Sequence, residues 1–299
     1  MNIATFKVSF FIILSFVSWS YTTQRDSIQV LDASGLQINP EENQLKILSW
    51  NIKMLPAPYG WLFKPYKRAE SIIQSLEDSD TYDIIFFQEA FSGSVRSKIY
   101  KTLKNIYPYQ IEPKYQKVFY KSNSGLWAIS RLPITLIDDI SFTKIRAWDR
   151  LASKGAKLYS IRKNQKEFYL INTHFQSDYK TDYSDIRSSQ YTEIYKDLIL
   201  PNEKSDVPLI LCGDLNISQS AKLKTMLEKL KLKNGPMTGK LQHSTLGRSK
   251  ELLDYILVKS EHAKFHSVKR RIIDFSRRVK GEKFLLSDHY PIEAVISWD

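Results

Sequence analysis

LKILSWN, DIIFFQE, VPLILCGDLN, ELLDYILV and PIEAVIS are short apolar runs bounded by turn residues, and each reads as a buried strand. QKVFYKSNSGLWAIS and KLYSIRKNQKEFYLINTHF read as hairpins, one around Ser-Asn-Ser-Gly and the other around Arg-Lys-Asn-Gln. Between these runs, KPYKRAESIIQSL places Ala69, Ile72, Ile73 and Leu76 on one helical face. A second helix is predicted after Ser184, with Ser184 or Asp185 as its cap, and a third in LKTMLEKLKL. Helices and strands are interspersed, yet hairpins are frequent. That combination predicts mixed β-sheets covered by helices, an α/β class of fold, rather than a purely parallel doubly wound sheet.

The chain has 299 residues and a net charge of +12, which favours anionic partners such as nucleic acid, phosphorylated substrates or an anionic surface. Its one cysteine, Cys212, lies in the apolar run VPLILCG and reads as an inert buried thiol. No intramolecular disulfide can form, and no cysteine–histidine cluster supports a structural zinc site. At the N-terminus, Lys7 precedes the apolar run Val8 to Val17, followed by Ser18-Trp19-Ser20. This is the pattern of an export signal over residues 1–20. The expected localisation is therefore secreted, or exported and anchored if the signal stays in place. Residues 21–44 read as a polar arm, and residues 45–299 as the main folded domain.

Polar residues that carry chemistry recur where the apolar runs end. Asn51 ends LKILSWN, Gln88 and Glu89 end DIIFFQE, His174 ends FYLINTH, and Asp214 and Asn216 end LILCGDLN. Asp254 sits within ELLDYIL, and Asp288 and His289 precede the last run. A single carboxylate after a strand is ordinarily a turn residue or cap. A whole set of this kind makes sense as one site. A hard cation such as Mg²⁺ takes oxygen ligands, which Glu89 and Asn51 supply. His289 suits a general base if Asp254 or Asp214 orients its other ring nitrogen. His174 and Asn216 can donate hydrogen bonds to a phosphate.

SWN, FFQEAF, NTHFQSD, CGDLN, LLDYIL and SDHYP, in that order, resemble the endonuclease/exonuclease/phosphatase superfamily, which has the fold of pancreatic-type deoxyribonuclease. The resemblance implies an α+β four-layer sandwich, with two mixed sheets face to face and helices outside. It also implies a metal-dependent phosphodiesterase or phosphatase. By position, Glu89 is then the principal metal ligand with Asn51 beside it, and His289 is the base oriented by Asp254. Asp214, Asn216 and His174 contact the water or phosphate, and Asp288 supports the site.

Within the superfamily, NIKMLP, QEAF, HFQSD and DRLASKG resemble the neutral sphingomyelinase branch. That resemblance implies hydrolysis of sphingomyelin to ceramide and phosphocholine, with Mg²⁺ or another divalent cation as cofactor. Asp149 and Lys154, in DRLASKG, are then a functional pair. The implied partner is membrane sphingomyelin at the lipid surface; no stable nucleic-acid partner and no protein partner is expected. Two stretches suit a membrane interface. One is PAPYGWLFKPYKR, with Tyr59, Trp61 and Phe63. The other is VKRRIIDFSRRVKGEKF, a basic hairpin with Ile272, Ile273 and Phe275 as apolar tips. The alternative is a secreted metal-dependent deoxyribonuclease of the same fold, which the positive charge would suit. A catalytically silent binding protein on this scaffold ranks last, because every expected catalytic position is filled.

Overall fold

A computed structural model describes residues 30–31, 37–38, 43–56, 58–79, 82–115, 121–245, 250–259, 265–279 and 282–299. The chain divides into two units, Met1–Asn39 and Pro40–Asp299. In the first, Val30–Leu31 pairs antiparallel with Gln37–Ile38. The export signal and most of the polar arm lie outside the described residues. Among the described residues no helix is long and apolar enough to cross a membrane.

The second unit opens with strand β1 (Gln44–Met54), helix α1 (Pro65–Glu77), β2 (Ile84–Ala90) and α2 (Gly93–Leu103). Next come β3 (Tyr109–Ile111), β4 (Trp127–Ser130), β5 (Ile134–Ser141), β6 (Gly155–Lys163) and β7 (Lys166–His174). Helix α3 (Ser184–Glu193), β8 (Leu209–Asp214) and α4 (Ser220–Leu230) follow. The chain closes with β9 (Met237–Thr238), β10 (Asp254–Lys259), β11 (Phe265–Ile272), β12 (Arg277–Val279), β13 (Glu282–Phe284) and β14 (Ile292–Trp298). A seven-stranded sheet runs β9-β11-β14-β1-β2-β4-β3, and a five-stranded sheet runs β10-β8-β7-β6-β5. Both are mixed: β1 and β2 are parallel, as are β7 and β8, while the neighbours of each pair run antiparallel.

Three apolar layers show how the sheets stack. Leu48, Trp50, Ile85 and Phe87 pack against Ala69, Ile72 and Leu76 of α1 and Val95 and Ile99 of α2. Leu158, Ile171, Leu209 and Leu211 pack against Ile194, Leu198, Met226 and Leu230 beneath the other sheet. Between the sheets lie Ile47, Phe86, Phe168, Leu170, Ile210, Ile256 and Ala294. The order is helix, sheet, sheet, helix, so the expected four-layer sandwich is present. Strands covered on both faces read as continuous apolar runs, which is why they were legible without alternation.

Three local expectations are corrected. WAIS has no hairpin mate among the described residues: β4 pairs instead with β2 and β3, while residues 116–120 lie outside them. Helix α3 begins at Ser184 but has Tyr183 at its N-cap, and Asp182 Oδ1 accepts the Ser184 N–H at 2.9 Å. The proposed apolar tips are not tips: Ile272 belongs to the inter-sheet layer, and Phe275 packs edge-on against Trp50 at 5.5 Å.

Candidate active site

Along a strand, alternate side chains share one face. On the inter-sheet face, β1 carries Leu45, Ile47, Ser49 and Asn51, and β2 carries Ile84, Phe86 and Gln88. Facing them, β7 carries Phe168, Leu170, Asn172 and His174, β8 carries Ile210, Cys212 and Asp214, and β10 carries Val258, Ile256 and Asp254. Every one of these rows is apolar at one end and polar at the other, and the polar ends coincide. Register aligns Asp214 with both His174 and Asp254 on neighbouring strands. The site is thus the polar end of the inter-sheet layer. Where it begins, Gln88 Nε2 donates across the seam to Asn172 Oδ1 at 2.8 Å.

Two backbone departures adapt the rows. Glu89 has φ +52°, so it escapes the alternation that would send it to the opposite face from Gln88. Its Oε1 accepts Asn51 Nδ2 at 3.0 Å. Gly213 has φ +147°, and a Cβ there would lie 1.9 Å from the Thr173 carbonyl oxygen, so the Gly of CGDLN lets β7 and β8 close up.

At the hub, Asn51 Nδ2 also donates to Asp214 Oδ2 at 3.0 Å, across the seam. His289 Nδ1 lies 2.7 Å from Asp254 Oδ2, and its Nε2 lies 3.7 Å from Asp214 Oδ2. Asp254 is fully buried and its Oδ1 has no hydrogen-bond partner among the described residues. His174 Nε2 is 3.5 Å from Asp214 Oδ2 and 3.1 Å from Lys154 Nζ. Lys154 is 2% exposed and donates to Asp149 Oδ2 at 2.7 Å and to the Phe175 carbonyl at 2.8 Å. The Asp149–Lys154 pair of DRLASKG is therefore formed, and it touches the hub through His174.

Burial and neighbouring charges set the protonation states. Desolvation pulls His289 down, but Asp254 and Asp214 overcome it and hold the ring up at about 10. Burial, reinforced by Asp254, pushes Asp214 up to about 7. Burial and then Lys154 keep His174 well below its usual value, so it is neutral. Burial also raises Glu89.

The structure brings together Asn51, Glu89, His174, Asp214, Asp254, His289, Asp149 and Lys154. Asn216 stands at the edge: its backbone N–H donates to Asp214 Oδ1, and its Nδ2 donates to the Phe175 carbonyl at 3.1 Å. The Asp288 carboxylate pairs with Lys53 at 2.5 Å, and its charge raises both His289 and Glu89. Sequence reasoning missed Lys53 and Tyr179. Lys53 lies in NIKMLP with φ +47°, and Tyr179 donates to Asp149 Oδ1 at 2.8 Å. Tyr179 directly follows HFQSD, but a tyrosine in a polar loop carries no pattern of its own. Cys212 is buried and its thiol pKa is pushed up, as an inert thiol requires.

The donor set fits a hard divalent cation. Glu89 is a desolvated carboxylate with no ion-pair partner among the described residues, and its Oε2 is without a hydrogen bond there. Asp214, Asp254 and His289 also converge, with one ligand atom from each lying within 4.8 Å of the others.

The endonuclease/exonuclease/phosphatase family profile matches residues 48–289. The chain belongs to that family. Two relatives are sphingomyelinases C by name. It is 26% identical to the sphingomyelinase C of Listeria ivanovii over 285 residues, which are 83% of this chain and 84% of that one. It is 27% identical to sphingomyelinase C 2 of Leptospira interrogans over 319 residues, covering 94% of this chain but spanning only 50% of that longer relative. Among solved structures, the beta toxin of Staphylococcus aureus, as a double mutant with bound magnesium ions, superposes with a TM-score of 0.71. It is 25% identical, and the match covers 84% of this chain and 99% of that one. The family fold is the deoxyribonuclease I-like sandwich, and its members are hydrolytic phosphoesterases.

Proposed function

We propose that this family member is a secreted, Mg²⁺-dependent phosphodiesterase that cleaves sphingomyelin into ceramide and phosphocholine. The observation that carries the choice of a lipid is the cleft beside the hub. It has a volume of about 490 Å³ and is lined by Glu89 and His174 together with apolar side chains, among them Leu62, Phe63, Trp148 and Leu151. Leu62 is 79% exposed and Trp148 70%, and Trp61, next to Leu62 in the chain, is 67% exposed. The exposed Lys64, Lys67 and Arg150 flank them. Aromatic and basic side chains together suit the headgroup region of a membrane. The similarity to the Listeria and Leptospira sphingomyelinases supports the same reading. The arm and signal of residues 1–44 would deliver the catalytic domain outside the cell.

Glu89 and Asn51 would hold the cation. When bound, it neutralises charge on the phosphoryl oxygens and its field favours the neutral form of the His289 ring. In this reading Asp254 accepts from Nδ1–H, which leaves the Nε2 lone pair to take a proton from water. The water oxygen bonds to phosphorus as the bond to the ceramide oxygen breaks, and that oxygen takes up a proton from bulk water. Asp214 and Asp254 then stabilise the imidazolium. His174, kept neutral with its Nε2 facing the Lys154 ammonium, brings no charge to the phosphoryl group. Lys154, seated on Asp149, fixes His174 from behind.

Residues 21–299, purified and given Mg²⁺ or chelator, are assayed for phosphocholine release from sphingomyelin vesicles and, in parallel, for nicking of supercoiled DNA. Mg²⁺-dependent phosphocholine release with intact DNA is the expected outcome. Nicking without phosphocholine would reverse the choice of substrate in favour of the deoxyribonuclease.

A further inference from the structure

The outer cleft holds more than an apolar path. Aromatic rings from separate elements line it: Phe91, two residues past Glu89; Trp148, on the 3₁₀ turn Ala147–Leu151; and Tyr179, in the loop after β7. Phe63 lines it too, but the Lys53 ammonium already lies 5.3 Å from that ring's centroid. Phe91 is seated by design of the backbone. Gly125 has φ +69°, and a Cβ there would lie 2.7 Å from the Phe91 ring. Tyr179 is fixed by its hydrogen bond to Asp149.

The charges on this part of the wall are also arranged for a cation. Lys154 is the ammonium that lines the cleft, and it is buried and committed to Asp149, His174 and the Phe175 carbonyl. It therefore offers no unshielded positive charge to an incoming group. The Asp149 carboxylate accepts from the Tyr179 hydroxyl and itself lines the cleft, so a negative charge lies beside that ring. Aromatic faces attract cations whose charge is spread over methyl groups, because such cations are weakly hydrated and lose little on leaving water.

We infer that Phe91, Trp148 and Tyr179 form a binding subsite for a quaternary ammonium group, adjoining the phosphoester-cleaving hub. The inference rests on the proposed phosphodiesterase reading and adds the side chains that select the headgroup. In that arrangement the phosphate lies toward Glu89 and His174 and the trimethylammonium lies among the three rings. A headgroup without the methyl groups fills the rings poorly and keeps its own water.

The test compares phosphocholine with 3,3-dimethylbutyl phosphate, in which an uncharged carbon replaces the nitrogen at nearly constant shape. Each is titrated into the full chain with Mg²⁺ present, and binding is followed by broadening of the ligand methyl signals in proton NMR. Phosphocholine is expected to bind about tenfold more tightly than its isostere, the effect of a cation on two or three aromatic faces. Trp148→Leu and Tyr179→Leu should each shrink that ratio several-fold, while binding of the isostere stays within about twofold. Tyr179→Phe keeps the ring and should keep most of the ratio. Trp148 is largely exposed, so its replacement leaves the fold intact even if the Tyr179→Leu chain does not fold.

Equal affinities in the unsubstituted chain, or failure of both ligands to bind, would overturn the inference; so would a ratio that Trp148→Leu leaves unchanged. Phosphocholine release from sphingomyelin vesicles is measured on the same preparations. Release with a ratio near one removes the subsite and keeps the proposed reaction. A preserved ratio without release keeps the subsite and removes the reaction.

Discussion

Replacing Asp254 by Asn tests the proposed base most directly, because it alters one buried charge and almost no volume. Asp254 Oδ2 lies 2.7 Å from His289 Nδ1, and the residue is fully buried. A hydrogen bond to a charged partner contributes about 1.5–3 kcal/mol, and here it reaches full strength only when His289 is an imidazolium. That part alone predicts a fall of about 10- to 150-fold in kcat, at 1.36 kcal/mol per decade. The asparagine amide can also donate to Nδ1, which moves the ring proton to Nε2, where the lone pair is needed. Together the two effects predict a loss of about 10²–10³, within the range for general-base catalysis. Some stability should be lost with it, because Asp254 is the main charge that holds the buried His289 ring protonated in the metal-free chain, so kcat is compared at equal folded fraction. The assay is phosphocholine release under saturating sphingomyelin and Mg²⁺, alongside urea unfolding. A kcat within threefold of the unsubstituted chain would refute the role of Asp254 as orienter. A matching collapse of stability would show that the loss came from unfolding.

Three further outcomes are expected. Glu89→Gln should abolish the rise in melting temperature that Mg²⁺ gives the unsubstituted chain, a stabilisation of about 2.7 kcal/mol when the cation is at 100 times its Kd; scanning fluorimetry with and without Mg²⁺ reads it, and an undiminished rise would remove Glu89 from the cation site. In the metal-free chain the His289 ring is held at about 10, above the ordinary histidine value. Its contribution to stability is therefore fully present below pH 6.5 and is lost as the pH rises through 10, and NMR titration of the ring in chelator should show no midpoint near neutrality. Lys154→Met leaves Asp149 buried without its cation and should cost about 3–5 kcal/mol in urea unfolding, with part recovered by adding Asp149→Asn.

The sandwich was legible because its strands are covered on both faces and so appear as unbroken apolar runs. Asn51, His174 and Asp214 were legible for a related reason, since a polar residue at the end of such a run stands out against it. Their convergence was not, because it depends on register: only the pairing of Asp214 with His174 and Asp254 puts the three on one rung. The inward turn of Glu89 depends on a positive φ that no propensity announces. WAIS was assigned a neighbouring hairpin mate because turn residues precede it, whereas long-range pairing with β2 places it inside the large sheet. Phe275 looked like a membrane tip in a basic stretch, yet the face of Trp50 was available to bury it.

Neither sheet owns the proposed catalytic hub. Asn51, Glu89 and His289 come from the seven-stranded sheet or its edge, and His174, Asp214 and Asp254 from the five-stranded one. The Asn51–Asp214 and His289–Asp254 contacts are stitches across the join. Turnover is consequently a clock for assembly. In a refolding chain, secondary structure can return and each sheet can acquire its own helices while the enzyme is still silent. The first product molecule marks the moment the two halves lock in register.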